Sequence, residues 1–194
     1  MQAESDIHKE HILIERLKQG ERPAFDALVE MYREKAFAIA YNLVGNPEDA
    51  KDVLQEAFIK MYLCIKDFRG NARLFTWFYR ILVNCSMDFL RKRKSRSKVF
   101  SLSIRDEEDK EIEVADARTE PFGVLGASEM SQHLDECLGG LSEKQRICFI
   151  LKHENGLSNQ EIAQVLHCAL STVKVHLFRA VKALRKKFAF YLAT

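Results

Sequence analysis

The sequence predicts an all-α protein: two small helical domains joined by a flexible acidic linker, with a helix-turn-helix in the second domain. Apolar residues recur every three or four positions along most of the chain, and no segment alternates as a strand would. The helical pattern is interrupted once at length, by a Ser-rich and then acidic stretch. A chain of 194 residues can hold two such domains, which we place at residues 8–94 and 124–190, with the linker at 95–123.

Charge is distributed unevenly along the chain. The net charge is only +2, but residues 91–98 hold six basic residues in eight, and residues 106–120 hold eight acids against two bases. Basic clusters neutralise phosphates, whereas an acidic stretch suits a basic surface. The distribution therefore indicates a protein that binds a polyanion at some points and meets a basic partner at others. The acidic stretch could equally be an inert tether.

Three helices are predicted ahead of an aromatic segment. Residues 8–19 form a short amphipathic helix closed by Gly20, and Pro23 suits the first turn of the next helix. After the breaker Gly45-Asn46-Pro47, residues 47–66 form the third helix. Its polar, mostly acidic patch is either a solvated face or a docking surface for a basic partner, and it comprises Asp49, Asp52, Gln55 and Glu56, with Phe58 at its edge.

The aromatic segment places five rings within twelve residues and then runs into the basic cluster at Arg91. Aromatic rings stack on unpaired bases at about 1–3 kcal/mol per base, although rings at helical spacing more often belong to a core. One apolar stripe runs from Phe75 to Phe89, and a polar set falls on the opposite face: Trp77, Arg80, Asn84, Asp88 and Arg91. A Trp outside the apolar stripe, beside Arg and Asn, favours nucleic-acid binding.

A helix-turn-helix is predicted within residues 157–187. Ser158-x-x-Glu161 is a capping box that opens a short helix, and His167 to Leu170 form the turn. A long basic helix follows, with an apolar stripe at Val173, Leu177, Val181, Leu184 and Phe188. A short helix, a tight turn and a long basic helix are typical of a DNA-binding unit. The alternative is a plain helical bundle with a charged face.

Several classes of protein are disfavoured. The five cysteines form no C-x-x-C pair and suit a reducing cytoplasm, and His133, Cys137, Cys148 and His153 match no standard metal site. The N-terminus does not resemble a signal peptide, and no apolar run approaches the roughly 20 residues that span a bilayer. Phosphate loops, H-E-x-x-H and catalytic triads are absent. We therefore predict a cytoplasmic protein that is not an enzyme, has no cofactor or metal, and does not insert into membranes.

Three motifs resemble those of the bacterial RNA polymerase sigma factors of the extracytoplasmic-function group, within the sigma-70 family. The −10 motif is matched in the aromatic segment by Phe68, Arg69, Gly70, Phe75, Trp77, Phe78, Ile81, Asn84, Asp88 and Arg91. The core-polymerase contact motif is matched in the third helix by Asp49, Ala50, Asp52, Gln55, Glu56 and Phe58. The −35 motif is matched by Leu157, Ser158, Glu161, Ile162, Ala163, Ser171, Thr172, Val173, Lys174, Leu177, Arg179 and Ala180.

The resemblance implies a sigma factor that binds core polymerase and directs promoter-specific initiation, under the control of an anti-sigma factor. The β′ clamp helices and the β flap would be its contacts on the core, the clamp helices meeting Asp49, Asp52, Val53, Gln55, Glu56 and Phe58. The melted −10 element would meet Phe68, Trp77, Tyr79, Arg80, Asn84, Arg91 and Lys92. The duplex −35 element would meet Ser171, Thr172, Lys174, Val175, His176, Phe178, Arg179 and Lys182.

The chain departs from the family pattern at Val175 and His176, where Ser-Arg is common. Val175 cannot donate a hydrogen bond to a base, so an unusual −35 sequence is expected. Two rival classes stay open at this stage. A helix-turn-helix regulator that binds an operator alone would leave residues 75–79 unexplained. A helical nucleic-acid enzyme would need a metal or general-base cluster, which the sequence does not offer.

Overall fold

A computed structural model describes residues 2–103 and 138–192, and the side chains of residues 8–95 and 138–187. These ranges form seven α-helices and one 3₁₀ helix, with no strand among them. The N-terminal domain holds α1 (Gln2–Lys18), α2 (Arg22–Val44), α3 (Pro47–Cys64), the 3₁₀ helix Ile65–Asp67 and α4 (Leu74–Ser103). The C-terminal domain holds α5 (Glu143–His153), α6 (Asn159–Leu166) and α7 (Leu170–Leu192). The predicted all-α class with two domains is confirmed.

The breaker between α2 and α3 acts as its residue types predict. Gly45 adopts the left-handed conformation that ends a helix, with φ of 76°. The Asn46 side chain then accepts hydrogen bonds from the amides of Glu48 and Asp49, at 2.8 and 3.2 Å. Pro47 needs no partner for a backbone N–H at this position. The chain therefore turns sharply here, and α3 packs back against α2.

Several helix ends differ from those predicted. Helix α1 begins six residues earlier, at Gln2, and α3 ends at Cys64 rather than at 66. Helix α4 begins at Leu74 and continues to Ser103, nine residues into the predicted linker. No Gly or Pro occurs between positions 71 and 120, and Lys and Arg favour helix, so nothing in the sequence ends α4 at 94. The rest of the predicted linker, and residues 124–137 of the predicted C-terminal domain, lie outside the described residues.

The core of the N-terminal domain is built on α2, α3 and α4. Phe78 of α4 is fully buried at its centre, with its ring stacked on Phe58 at a centroid distance of 4.8 Å. Tyr32 of α2 and Tyr79 of α4 pack around the same ring, at 5.9 and 6.1 Å. The helices that carry the predicted docking and −10 motifs are therefore fixed against each other by one aromatic cluster.

The two domains pack against each other through a surface that we call the interdomain interface, where α5 contacts α2 and α6 contacts α4. One buried cluster includes residues from both domains, among them Leu82 in α4 and Ile162 in α6. At its edge, Arg146 of α5 donates a hydrogen bond to the Leu43 carbonyl, and Arg93 of α4 donates one to the Val44 carbonyl at 3.3 Å. Both carbonyls belong to the last turn of α2, where the helix dipole favours cations.

Arg93 and Arg146 are also close enough for their positive charges to repel each other. Burial lowers the pKa of Arg146, and the neighbouring positive charge of Arg93 lowers it further. The Nε of Arg146 is buried without a hydrogen-bond partner. The interdomain interface thus combines apolar burial, which favours contact, with a pair of like charges, which opposes it.

Candidate nucleic-acid interface and docking face

The face of α4 predicted to meet the −10 element is largely accessible. Asn84, Arg91 and Lys92 are exposed, and Trp77 and Arg80 are half-buried. Arg91 forms an ion pair with Asp88 at 3.1 Å, one turn away. Because both groups are well exposed, this pair contributes little and does not compete strongly with a phosphate. The structure therefore brings five of the seven predicted −10 residues to solvent along one helix.

The other two predicted −10 residues, Phe68 and Tyr79, are buried. Phe68 is 7% exposed and Tyr79 is 3% exposed, so neither ring presents a face on which a base could stack in this arrangement. The Phe68 ring instead packs against Trp77, at a centroid distance of 5.3 Å. Burial raises the pKa of Tyr79 to about 12. Tyr79 is a core residue here, and Phe68 is a buried ring against which Trp77 packs.

The helix-turn-helix is present in the C-terminal domain. The Ser158 hydroxyl accepts from the Glu161 amide at 3.2 Å, and the Glu161 carboxylate accepts from the Ser158 amide at 2.8 Å, which confirms the predicted capping box. His167 follows α6 in the left-handed conformation, with φ of 48°. Non-glycine residues rarely adopt this conformation. It turns the chain so that α7 begins three residues later.

The predicted −35 residues lie on the solvent side of α7, with one exception. Ser171, Thr172, Lys174, Val175, Phe178, Arg179 and Lys182 are all exposed, whereas Val173 and Ala180 are fully buried. The exception is His176, which is half-buried with its Nδ1 enclosed and without a partner. Burial lowers the pKa of His176, as do the charges of Lys144 and Arg179, so protonation of the ring is disfavoured. His176 is therefore poorly suited to neutralising a phosphate.

The acidic face of α3 is accessible at Asp52, Gln55 and Glu56. Glu56 pairs with Lys60 at 2.7 Å, and Asp49, which is half-buried, pairs with Arg93 at 3.5 Å. The other two predicted docking residues are core residues: Val53 is 1% exposed and Phe58 is 7% exposed. Phe58 packs against Phe25 of α2 and Phe78 of α4, and Val53 is buried in the same core, so a partner on the outside of α3 does not reach them.

Apolar residues further along α3 were not singled out from the sequence. Ile59, Tyr62 and Leu63 are 51%, 40% and 70% exposed, which is unusual for large apolar side chains in one turn. Ile59 lies one turn beyond Gln55 and Glu56, and Leu63 one turn beyond Ile59, so they extend the acidic face. The signal was present in the sequence, since positions 52, 56, 59 and 63 share one face at helical spacing.

The described residues offer little sign of other chemistry. Among residues 2–103 and 138–192, no group of three or more His, Cys, Asp or Glu side chains could hold a metal ion. Of the four His and Cys residues whose spacing matches no standard metal site, His133 and Cys137 lie outside the described residues. Within the described ranges, no helix has the length and hydropathy that crossing a bilayer requires.

A helix-turn-helix with an exposed basic helix, joined to a domain on which half-buried Trp77 and Arg80 lie beside exposed Asn84, defines a helical DNA-binding protein. Residues 28–96 match the family described as Sigma-70 region 2, and residues 131–184 match Sigma-70, region 4. The RNA polymerase sigma-H factor of Pseudomonas aeruginosa is 34% identical over 175 residues, covering 90% of this chain and 91% of that protein. The ECF RNA polymerase sigma-E factor of Escherichia coli K12 is 33% identical over 185 residues, covering 92% and 93%.

The fold is also found in a solved structure. The sigma factor RpoE of Bartonella quintana, in a co-crystal with the anti-sigma factor NepR, is similar with a TM-score of 0.62 at 23% identity, covering 85% of this chain and 96% of that chain. The sequence matches span both domains in the predicted order. The chain belongs to the extracytoplasmic-function sigma factors of the sigma-70 family.

Proposed function

We propose that this chain binds bacterial core RNA polymerase and directs promoter-specific initiation through three separate surfaces. The outer face of α3 docks on the β′ clamp helices, the head of α4 opens and reads the −10 element, and the first turns of α7 read the −35 element in the major groove. The C-terminal domain also meets the β flap. The polymerase catalyses RNA synthesis, so this chain supplies recognition and melting but no chemistry, and it acts in the cytoplasm.

The observation that carries the proposal is the exposure pattern of the three matched motifs. On α3, α4 and α7 alike, apolar motif residues are buried or half-buried while most polar ones face solvent, and the three surfaces do not overlap. A charged bundle without a partner has no reason to leave Trp77 half-exposed beside Arg80, or to expose Ile59 and Leu63 beside an acidic face. These exposures are those expected of surfaces that are covered in a complex.

In vitro transcription tests the proposal. Purified chain is added to sigma-free bacterial core polymerase on a genomic promoter library, and transcript starts are mapped. Starts that share −35 and −10 sequences are expected, and the −35 sequence should be unusual because Val175 can contact only a thymine methyl. Tight, core-independent binding to duplex DNA, without core binding, would instead identify a stand-alone regulator.

Replacing Trp77 by Ala should reduce promoter opening far more than closed-complex binding. The ring is half-buried on Phe68, and losing one stacking platform of about 1–3 kcal/mol corresponds to about a 5- to 150-fold loss. Permanganate reactivity of −10 thymines measures opening, and binding at low temperature measures the closed complex. Trp77→Phe, which keeps a ring, should be intermediate. Equal losses in both assays would show that Trp77 serves only the core.

Replacing Leu63 by Asp should weaken core-polymerase binding about tenfold with little change in stability. The side chain is 70% exposed, so a carboxylate is tolerated in the free chain but is desolvated against a partner. Competition with a labelled sigma factor for core measures the affinity. Met31→Asp, at an apolar residue of α2 that is 43% exposed, is the matched control. Similar losses of core-polymerase affinity in both variants would show that the exposed face of α3 has no specific role in docking.

The family resemblance also implies a protein partner, an anti-sigma factor. We propose that it holds the chain inactive by covering the docking and DNA-binding faces. Affinity purification of the tagged chain under varied stress conditions tests this. Recovery of polymerase alone under every condition would contradict it.

A further inference from the structure

Helix α4 begins without a capping side chain of its own. The Arg73 carbonyl accepts the first backbone bonds of the helix, from the amides of Thr76 and Trp77, at 3.1 and 3.2 Å. The Arg73 side chain can only donate, so it cannot cap the free amides that follow. The first amides of a helix need partners, and they favour a carboxylate because of the helix dipole.

The missing cap comes from another helix. The Glu10 carboxylate, on α1, accepts a hydrogen bond from the Leu74 amide at 3.2 Å, across 64 positions of sequence. Leu74 is the first residue of α4, and its own side chain is 1% exposed. A single side chain of α1 therefore provides the hydrogen-bond partner of the first amide of α4.

The same carboxylate also contacts α2. Tyr32 lies close enough to Glu10 to interact with its charge, and burial together with that charge raises the pKa of Tyr32. The Tyr32 ring packs against Phe78 of α4 at 5.9 Å. The Glu10 carboxylate thus lies near a side chain that is itself packed into the aromatic core.

Helix α1 also contacts the 3₁₀ helix Ile65–Asp67, immediately ahead of the loop that leads to α4. The loop residues 68–73 are consequently bracketed by α1 at both ends: through the 3₁₀ helix before Phe68 and through Glu10 at Leu74. This loop and the head of α4 carry Phe68, Arg69 and Trp77. Helix α1 lies outside residues 28–96, the range that matches Sigma-70 region 2.

We propose that Glu10 is a positioning residue for promoter opening, which holds the loop 68–73 and the head of α4 in the geometry that receives an unpaired −10 base. The inference rests on the proposed function and extends it to a helix beyond the matched region. Extruding a base from the duplex costs a few kcal/mol. A surface whose loop is already ordered recovers that cost, whereas one that must first order its loop recovers less.

The test compares Glu10→Ala and Glu10→Gln in the full chain assembled with core polymerase. Opening is followed by the fluorescence of 2-aminopurine in the −10 element, and core affinity is measured by competition. Glu10→Ala should slow opening about tenfold while core affinity stays within about twofold, because a hydrogen bond to a charged group is lost. Glu10→Gln should recover most of the rate, since its amide oxygen still accepts from Leu74.

Two controls separate positioning from general damage. Glu15→Ala, on the same helix and in an exposed pair with Lys18, should behave like the original chain. On a template already mismatched at −10, Glu10→Ala should initiate normally because no base pair has to be opened. If Glu10→Ala does not fold, Tyr32→Phe takes its place, with opening expected to slow about threefold, less than a full charged hydrogen bond would imply.

The outcomes distinguish this inference from the proposed function. Unchanged opening in Glu10→Ala, or in Tyr32→Phe when that variant stands in, overturns the positioning role. Equal loss of opening and core affinity also overturns it, because Glu10 would then only stabilise the domain. Failure of the original chain to initiate at all contradicts the proposed function itself.

Discussion

Replacing Phe78 by Ala is expected to lower the free energy of unfolding of the N-terminal domain by about 3–5 kcal/mol. The side chain is fully buried, and its ring contacts those of Phe58, Tyr32 and Tyr79 at centroid distances of 4.8, 5.9 and 6.1 Å. Removing it opens a cavity between three helices and abolishes three aromatic contacts. Such a loss is a large share of the 5–15 kcal/mol typical of a domain. Urea denaturation followed by circular dichroism measures it.

A matched control is available in the other domain. Phe178 is the same residue type but is 69% exposed, so Phe178→Ala should change the unfolding free energy by no more than about 0.5 kcal/mol. Phe78→Ala should also reduce core-polymerase binding, because α3 loses the ring on which Phe58 is stacked. A loss below about 1 kcal/mol in Phe78→Ala would show that the three helices do not share this core.

The second large expected effect is a separation of the two domains on promoter DNA. The −35 and −10 elements are about 25 base pairs apart by their names, which is about 85 Å of duplex at 3.4 Å per base pair. A compact body of the described size has a radius of gyration of about 15 Å. The arrangement with a closed interdomain interface therefore cannot place α7 on one element and α4 on the other.

Distance measurements between fluorescent labels test this separation. Labels at Glu34→Cys on α2 and Lys186→Cys on α7, both exposed positions, report on the two domains in a chain whose other reactive cysteines are replaced by serine. Their separation should increase by about 30 Å or more when the holoenzyme binds a promoter, given the 85 Å between the elements. A pair at Glu34→Cys and Lys51→Cys, within the N-terminal domain, should not change.

An unchanged separation in the promoter complex would be informative in the opposite sense. It would mean that the interdomain interface stays closed on DNA. In that case one of the two predicted DNA-binding faces is not engaged, and the helix-turn-helix must serve another contact.

Local sequence signals predicted the helices well wherever one residue type controls the backbone. Asn46-Pro47 and the Ser158-x-x-Glu161 box fixed two helix starts. The predicted stripe of α7 is confirmed at Val173 and Leu184, which are buried, whereas its members Leu177 and Val181 are half-buried. Where no such residue occurs the boundaries were wrong, as at the C-terminal end of α4. A basic Ser-rich run is compatible with helix, and only surrounding structure decides whether it continues.

Burial was harder to predict because it depends on how many neighbours a helix has. The pattern of α4 indicated one apolar stripe, but α4 packs against α2, α3 and α6 together. Tyr79 and Val83, outside the predicted stripe, are therefore buried as well. Phe58 was placed at the edge of the docking face, yet the rings of Phe25 and Phe78 enclose it. The contact of Glu10 with Leu74, across 64 positions, leaves no periodic signal in the sequence.

The interdomain interface has a consequence for competition between partners. Both surfaces of the interdomain interface belong to one chain. Each domain therefore meets the other at an effective concentration on the order of millimolar, however dilute the protein is in the cell. Any molecule that binds in place of this contact must outcompete that local concentration. The like charges of Arg93 and Arg146 weaken the contact, and so lower the affinity that a competitor needs. The guanidinium groups of Arg93 and Arg146, beside the last turn of α2, thereby help to determine how readily a partner replaces the contact between the two domains.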